Sequence, residues 1–459
     1  MFKITAFGAA GEVGRSCVLI DDGDRRVLLD CGVKIVPKER SLPPLGIEEV
    51  VREEGIDSVI LSHAHLDHTG YTPRLFQEGY NGVVHTTPPT RDISHILWLD
   101  HLKIEKEEHY LTSFLETALF STSLHDYREK FRVCDGVTAE FYDAGHILGS
   151  SSVLLDWDGV LIWYTGDINT TKTPFHDGAK FPDEEDIDIV ISESTNGSRD
   201  FPSRKVVEED FGRDITEVLE RGGKVIVPSF AVGRSQEIAM TVARGVDIKG
   251  LDSQVYLDGM IRHVNEIYLN YLDEKWISPR FLSWFKDQGL SSPFDMEYLR
   301  EIDERIKRKE AFRREISEKP DPCVVITTSG MMEGGPVHSY FRYACTDPKN
   351  LLAVVGFQVE GTLGREIMDG RRQIMATNGF GNGHGVEIKS KVKRFHFSGH
   401  SPRLGLQEYL LLLDAKNYLF IHGNEESCYA LEKYVKHETF HSNGEVKTLK
   451  RIEPAIIPS

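Results

Sequence analysis

Nine residues, Ser62 to Gly70, read SHAHLDHTG and set His63, His65, Asp67 and His68 in one turn directly behind the apolar run DSVIL. Imidazole and carboxylate are both good donors to zinc, and a pair of such ions takes more donors than one short loop carries. The chain must therefore supply further donors from distant segments. Three are placed in a comparable way: His146 in DAGHILGS, Asp167 in YTGDIN and His422 in FIHGNEE, each beside a glycine. A neighbouring glycine lets the backbone turn sharply or approach closely, so the donor can point into a crowded centre. A lone histidine is more often a satisfied, partly buried side chain. HxHxDH together with three such donors argues for a metal centre.

The surrounding pattern supplies the rigid elements. In the first half KITAFG, RVLLD, DSVILS, TAEFYD, SSVLLDW, VLIWYTGD and DIDIVISE read as strands, several ending in Asp, Ser-His or Gly-Asp. Polar groups just after buried strands sit at a sheet edge, where chemistry can be held in register. From about Pro202 strands and helices alternate: helix SRKVVEEDFGRDITEVLERG, strand KVIVPSF, helix GRSQEIAMTVARG, strand QVYLDG. A charged helical stretch, DERIKRKEAFRREISEK, precedes the strands CVVITTSG and LLAVVGFQ, and strand-plus-polar-turn grammar returns in RFHFSGHS and YLFIHGNEE. No internal repeat or low-complexity segment is present.

Composition narrows the class. A chain of 459 residues, 40% hydrophobic and 27% charged, has material for two large compartments without disulfides. Its six scattered cysteines, with no CxxC pair, read as reduced and mostly buried thiols. The first residues lack a long apolar stretch, and no uncharged run approaches the roughly 20 residues that span a bilayer, so the expected compartment is the cytoplasm with no membrane partner. A net charge of −18 argues against general attraction to nucleic acid. Bound divalent ions would reverse the field locally.

With HAHLDH, GH, GD and a late IHG in this order, the chain resembles the metallo-β-lactamase superfamily. GAAGEVGRSC, SEST, PSFAVGRSQE, TTSGMMEGGP, GFQVEGTLGRE and FSGHS extend the resemblance to the β-CASP nucleases, most closely the endonuclease subunit of the cleavage and polyadenylation specificity factor and its prokaryotic relatives. The resemblance implies an α/β fold: a four-layer αβ/βα metallo-β-lactamase domain from residues 1–200 and 393–459, with an α/β β-CASP domain inserted over 201–392. It implies two Zn2+ per chain, one on His63, His65 and His146, the other on Asp67, His68 and His422, with Asp167 and a hydroxide bridging. Asp30, ending RVLLD, corresponds to the first motif and would support the ligands from behind, although a plain strand-ending Asp reads the same way. Asp67, Glu193 and His400 are the catalytic candidates. His400 would protonate the departing ribose oxygen and Glu193 would keep it charged. Pro402 stands where relatives usually carry Asp, which bears on how the His400 loop is braced.

The implied reaction is hydrolysis of an RNA phosphodiester, leaving 5′-phosphate and 3′-hydroxyl ends, by endonucleolytic or 5′-to-3′ exonucleolytic action. The family also uses the Gly-rich turn, so Ser329, Gly330, Arg234 and Arg365 are candidate phosphate contacts, and each Arg reads equally well as a salt-bridge partner. Of two basic runs, RIKRKEAFRR reads as a solvated helix face and KSKVKR is the better candidate for tracking a nucleic-acid backbone. A small-molecule ester or thioester hydrolase would share HAHLDH without needing an insert of roughly 190 residues, a domain-sized length. A scaffold that has lost catalysis would lack ligands, and all are present. DNA-directed relatives typically carry Val where this chain has His422. With no recognisable appended RNA-binding module, recruitment is expected to use a homodimer or a partner protein.

Overall fold

The structure, a computed structural model, describes residues 1–458 except 38, 185, 304–305, 307, 378–382 and 439–443. The chain divides into two compact units: Met1–Lys172, His176–Asp200 and Gly399–Ser459 form the first, Thr173–Phe175 and Phe201–Ser398 the second.

The first unit is built on two seven-stranded sheets. One runs, in spatial order, Ala455–Ile457, Phe2–Ala6, Val18–Asp21, Arg26–Leu29, Ser58–Ile60, Val83–Thr86 and Thr122–Leu124. The other runs Val446–Thr448, Asn417–Ile421, Ile189–Glu193, Val160–Tyr164, Ser151–Trp157, Val137–Asp143 and Lys130–Cys134. Runs such as VLID and IVISE are buried along their whole length, as strands covered on both faces must be. Ile4, Ile20, Leu29 and Ile60 of the first sheet share a core with Val153, Leu155, Trp157, Ile191 and Leu419 of the second. On the outer face of the first sheet Leu28, Val59 and Val84 pack with Trp98 and Leu102 of the helix Pro88–Glu105 and with Leu111 and Leu115 of the next, Glu108–Phe120. On the outer face of the second, Leu154, Trp163, Val190 and Phe420 pack with Leu406 and Leu410 of the helix Arg403–Leu413 and with Leu431 and Val435 of the helix Glu425–Glu438. Four layers, αβ/βα, result.

Register aligns the ends that matter. Arg26–Leu29 and Ser58–Ile60 are parallel, with Leu29 opposite Ile60, so Asp30 and Ser62 emerge together. Val160–Tyr164, Ile189–Glu193 and Asn417–Ile421 are also parallel, and Glu193 lies opposite Ile421, next to His422.

The second unit holds an all-parallel sheet in the order Leu299–Glu301, Gln254–Asp258, Cys323–Thr327, Lys224–Pro228, Leu351–Val354, Lys391–Arg394, plus the hairpin Gln373–Thr377 and Gly383–Glu387. The sequence reading closed this insertion at 392. Because Lys391–Arg394 pairs with Leu351–Val354, the unit instead continues to Ser398, and FHFSGHS follows the strand as an irregular segment. The charged stretch forms a helix over Lys309–Glu318, and its first part falls partly outside the described residues. No described helix is long and apolar enough to cross a membrane.

Leu155 is fully buried between the two sheets of the first unit. Leu155→Ala should cost about 2–5 kcal/mol of unfolding free energy in urea, through lost transfer energy and the cavity left behind. Val206→Ala, on a half-exposed helix position, should stay within about 0.5 kcal/mol.

Candidate metal centre

The carboxyl ends of strands from both sheets deliver donors to one point. His63 Nε2, His65 Nδ1 and His146 Nε2 approach one another, with separations of 3.1 Å from His63 to His65 and 3.2 Å from His146 to His65. His68 Nε2 stands 3.3 Å from His422 Nε2, which is 3.4 Å from Asp67 Oδ2. Asp167 Oδ2 lies between the groups, 3.5 Å from His63 Nε2, 3.8 Å from His146 Nε2 and 3.3 Å from His68 Nε2. Four donors at zinc-bond length around one ion would stand about 3.3 Å apart, and the separations here run from 3.1 to 3.8 Å.

Burial makes this arrangement expensive without a cation. Asp167 is 2% exposed, and its Oδ1 accepts no hydrogen bond, although His422 Nδ1 stands 3.3 Å away. A buried carboxylate needs a compensating charge. Burial foremost, with neighbouring rings adding to it, depresses the basicity of His63 and His146 strongly; burial likewise brings His65 down to about 4. These rings are neutral at neutral pH, with a lone pair available. Burial also opposes ionisation of Asp67 and Asp167, but surrounding imidazoles led by His422 outweigh it and hold both well below the ordinary carboxylate range. Neutral imidazoles and ionised carboxylates are the forms that divalent metals bind, and His63, His65, His146, Asp67 and Asp167 supply them. At His68 burial opposes charge, but Asp167 and Asp30 override it and lift the ring well above its ordinary range, a demand for positive charge that a cation would meet. The residues therefore fit a metal pair.

A ring of outer groups fixes which nitrogen faces inward. Asp30, fully buried, accepts from the backbone N–H of Ser62 at 2.7 Å, its hydroxyl at 2.7 Å, Tyr164 OH at 2.6 Å and His68 Nδ1 at 2.7 Å. His146 Nδ1 donates to the Gly399 carbonyl at 2.7 Å, and Ser62 Oγ lies 3.1 Å from His63 Nδ1. With Nδ1 so engaged, Nε2 is left for the centre. Gly32 lets the strand end pass the HAHLDH turn: a Cβ there would stand 1.8 Å from the Asp67 carbonyl oxygen.

Beside this cluster, His400 Nδ1 lies 3.0 Å from Glu193 Oε1 and 3.9 Å from Asp167 Oδ2. Glu193 is itself pinned by the N–H groups of Ile168 at 2.9 Å and Thr195 at 3.1 Å. Burial disfavours charge on His400, but Glu193 first and then Asp167 override it and lift the ring to about 9. The His400 loop is braced by Ser401, whose N–H donates to the Ile168 carbonyl at 2.9 Å and whose Oγ accepts from Thr170 N–H at 2.8 Å, and by Asn196 Nδ2, which donates to the Ser401 carbonyl at 3.0 Å. Pro402 caps the following helix with φ −66°, a position that requires neither its N–H nor an acidic side chain.

Residues 236–367 match the family model described as "Beta-Casp domain", residues 385–447 that of "Zn-dependent metallo-hydrolase RNA specificity domain", and residues 5–192 that of "Anti-Pycsar protein Apyc1". The chain is 36% identical over 418 residues to an RNase J-like protein of Methanocaldococcus jannaschii, covering 89% of each. It is 38% identical over 448 residues to transcription termination factor FttA of Methanosarcina mazei, covering 94% of this chain and 68% of that one. The chain belongs to the metallo-β-lactamase β-CASP ribonuclease family. A protein of unknown function from Enterococcus faecalis V583 shares the fold, at a TM-score of 0.54, 13% identity, and coverage of 99% of this chain and 100% of that one.

In this β-CASP chain the candidate phosphate contacts all belong to the second unit. Arg234, largely buried, pairs with Glu237. Arg365, half-exposed, pairs with Asp369 at 2.7 Å along its own helix. Ser329 Oγ accepts from the Glu333 N–H at 3.0 Å, and the Gly330 carbonyl accepts from Gln358 Nε2 at 2.8 Å. In the run KSKVKR, Lys391 and Lys393 pair with Asp214 at 3.1 and 3.0 Å, so much of its charge is met internally. The roles of Ser16, whose Oγ lies 3.3 Å from His68 Nε2, and of Ser62, Tyr164, Thr195 and Asn196 escaped the sequence reading. Ser16, Ser62 and Thr195 stand inside GAAGEVGRSC, SHAHLDHTG and SEST, but none of the five carries a ligand-type signal, and each is recognisable only by what it touches.

Asp30→Asn should weaken divalent-metal affinity about 10–100-fold, the usual effect of losing an outer partner of a ligating histidine. Zinc retention against a chelator reads this, with circular dichroism to establish that the fold persists.

Proposed function

We propose that the chain is a two-zinc ribonuclease in which His63, His65, His146 and Asp167 hold one ion and Asp67, His68, His422 and Asp167 the other, and which leaves 5′-phosphate and 3′-hydroxyl ends. The observation that carries the reading is the single oxygen of Asp167 set within 3.3–3.8 Å of histidine nitrogens from both groups, with the His400–Glu193 pair beside it. A bound metal pair supplies acidified water at neutral pH and neutralises charge on the phosphoryl oxygens.

The protein's own groups do the rest. Hydrolysis that leaves a 3′-hydroxyl requires a proton for the departing 3′ oxygen, and His400 is the donor: it is held charged by Glu193, with its Nε2 on the side of the ring opposite that carboxylate. Asp30 and the Gly399 carbonyl keep His68 and His146 in one tautomer and one orientation. RNA as the substrate draws support from the RNA specificity model matched at 385–447 and from the RNase J-like relative.

The test uses zinc-replete protein with RNA labelled at either end and bearing 5′-triphosphate, monophosphate or hydroxyl ends, alongside a generic thioester. RNA fragments with 5′-phosphates and no thioester turnover are expected, and product lengths give the direction of cutting. His422→Ala should abolish turnover while remaining soluble; a fully active variant would refute the ligand assignment. His400→Ala should lower kcat about 10²–10⁴-fold, the range for a lost general acid. A donor must be protonated, so activity should fall as pH rises through the His400 pKa. Glu193→Gln removes the largest influence raising that pKa and should move the alkaline limb down by about 1 unit or more.

A further inference from the structure

His422 stands in an unusual backbone state, with the Thr195 hydroxyl among the groups that meet it. The His422 φ is +49°, in the left-handed region that a non-glycine residue seldom enters. Its N–H donates to the Ala9 carbonyl at 2.7 Å, and its carbonyl accepts from the Ser194 N–H at 3.2 Å. The following Gly423 passes so close to Ser194 that a Cβ would meet the Ser194 carbonyl oxygen at 2.6 Å. Thr195 Oγ1 then lies 3.1 Å from the His422 carbonyl oxygen and 3.1 Å from His422 Nδ1.

A hydroxyl carries one proton. If it donates to the carbonyl, which can only accept, it must accept from Nδ1–H. That pattern leaves Nε2 unprotonated, and Nε2 is the atom facing His68 Nε2 and Asp67 Oδ2 at 3.3 and 3.4 Å. Two contacts compete: Asp167 Oδ1 lies 3.3 Å from Nδ1 but without hydrogen-bond geometry, and Asp67 Oδ2, 3.4 Å from Nε2, would accept from an Nε2–H; the 3.1 Å contact to Thr195 is the shorter. Asp30 does the same for His68, and the Gly399 carbonyl for His146. Thr195 also follows Glu193 by two residues, and its N–H donates to Glu193 Oε2 at 3.1 Å.

We infer that Thr195 is a positioning residue for His422: its hydroxyl selects the metal-competent tautomer and holds the strained backbone. The five-residue stretch ISEST therefore orients both the proton donor, through the Glu193 carboxylate, and one metal ligand, through the Thr195 hydroxyl. The inference rests on the two-metal reading and adds a residue that it does not contain.

Calorimetric titration of Zn2+ into chelator-treated protein tests it. Wild type should show two binding events. Thr195→Val, which keeps the side-chain shape and deletes the hydroxyl, should weaken one event about 10–100-fold and leave the other unchanged. Thr195→Ser should bind as wild type. At saturating zinc the alkaline limb of kcat in Thr195→Val should coincide with that of wild type, because Glu193 still holds His400. Should Thr195→Val fail to fold, Thr195→Ala with the serine rescue gives the same comparison. Unchanged zinc binding in the valine variant, or equal loss in the valine and serine variants, would overturn the role of the hydroxyl. Wild type that binds no zinc would overturn the metal assignment itself.

Discussion

A carboxylate sealed among imidazoles needs positive charge, and the rest of the first unit is organised to keep Asp167 in that position. It sits at the carboxyl end of Val160–Tyr164, 2% exposed, with His63, His68, His146, His400 and His422 around it. The groups come from both sheets, so the site exists only if the sheets stack in one register. A single-residue slip in either would turn its side chains to the opposite face. The apolar layer of Leu29, Ile60, Leu155, Ile191 and Leu419 sets that stacking, which makes the inter-sheet core part of the chemistry.

Energetically the site inverts the usual logic of a protein interior. Most buried polar groups are satisfied by a hydrogen bond, yet the inner nitrogens here face one another and Asp167 Oδ1 has no donor. The outer nitrogens of His63, His68, His146 and His422, by contrast, are met by Ser62, Asp30, the Gly399 carbonyl and Thr195. Satisfaction on the outside and unmet demand on the inside is the pattern of a preorganised ion site, in which the protein bears the cost of ordering before the ion arrives.

Much of this was legible in the sequence, and the reason is local. SHAHLDHTG places four donors in one turn, and His146, Asp167 and His422 each follow a buried strand and adjoin a glycine, so residue type and position mark them as candidates, and the fold brings them together. The four layers came with the resemblance to the metallo-β-lactamase superfamily; the strand pattern by itself gave only sheets buried on both faces. What escaped was the supporting shell: Ser62, Tyr164 and Thr195 are common residue types whose roles arise only when distant segments meet. The end of the insertion also escaped, because KVKR looks like a charged prelude to FHFSGHS until its pairing with Leu351–Val354 is seen. The pairing of Ala455–Ile457 with Phe2–Ala6, across almost the whole chain, rests on three residues with no turn to announce it.

We propose that Asp167, whose Oδ2 lies within 3.3–3.8 Å of His63, His68 and His146, would help hold two cations. Crystals of zinc-loaded protein, measured on both sides of the zinc absorption edge, address it directly. The account predicts two anomalous peaks, one enclosed by His63, His65 and His146 and the other by Asp67, His68 and His422, both in contact with Asp167. A single peak, or zinc found only elsewhere on the protein, would contradict it.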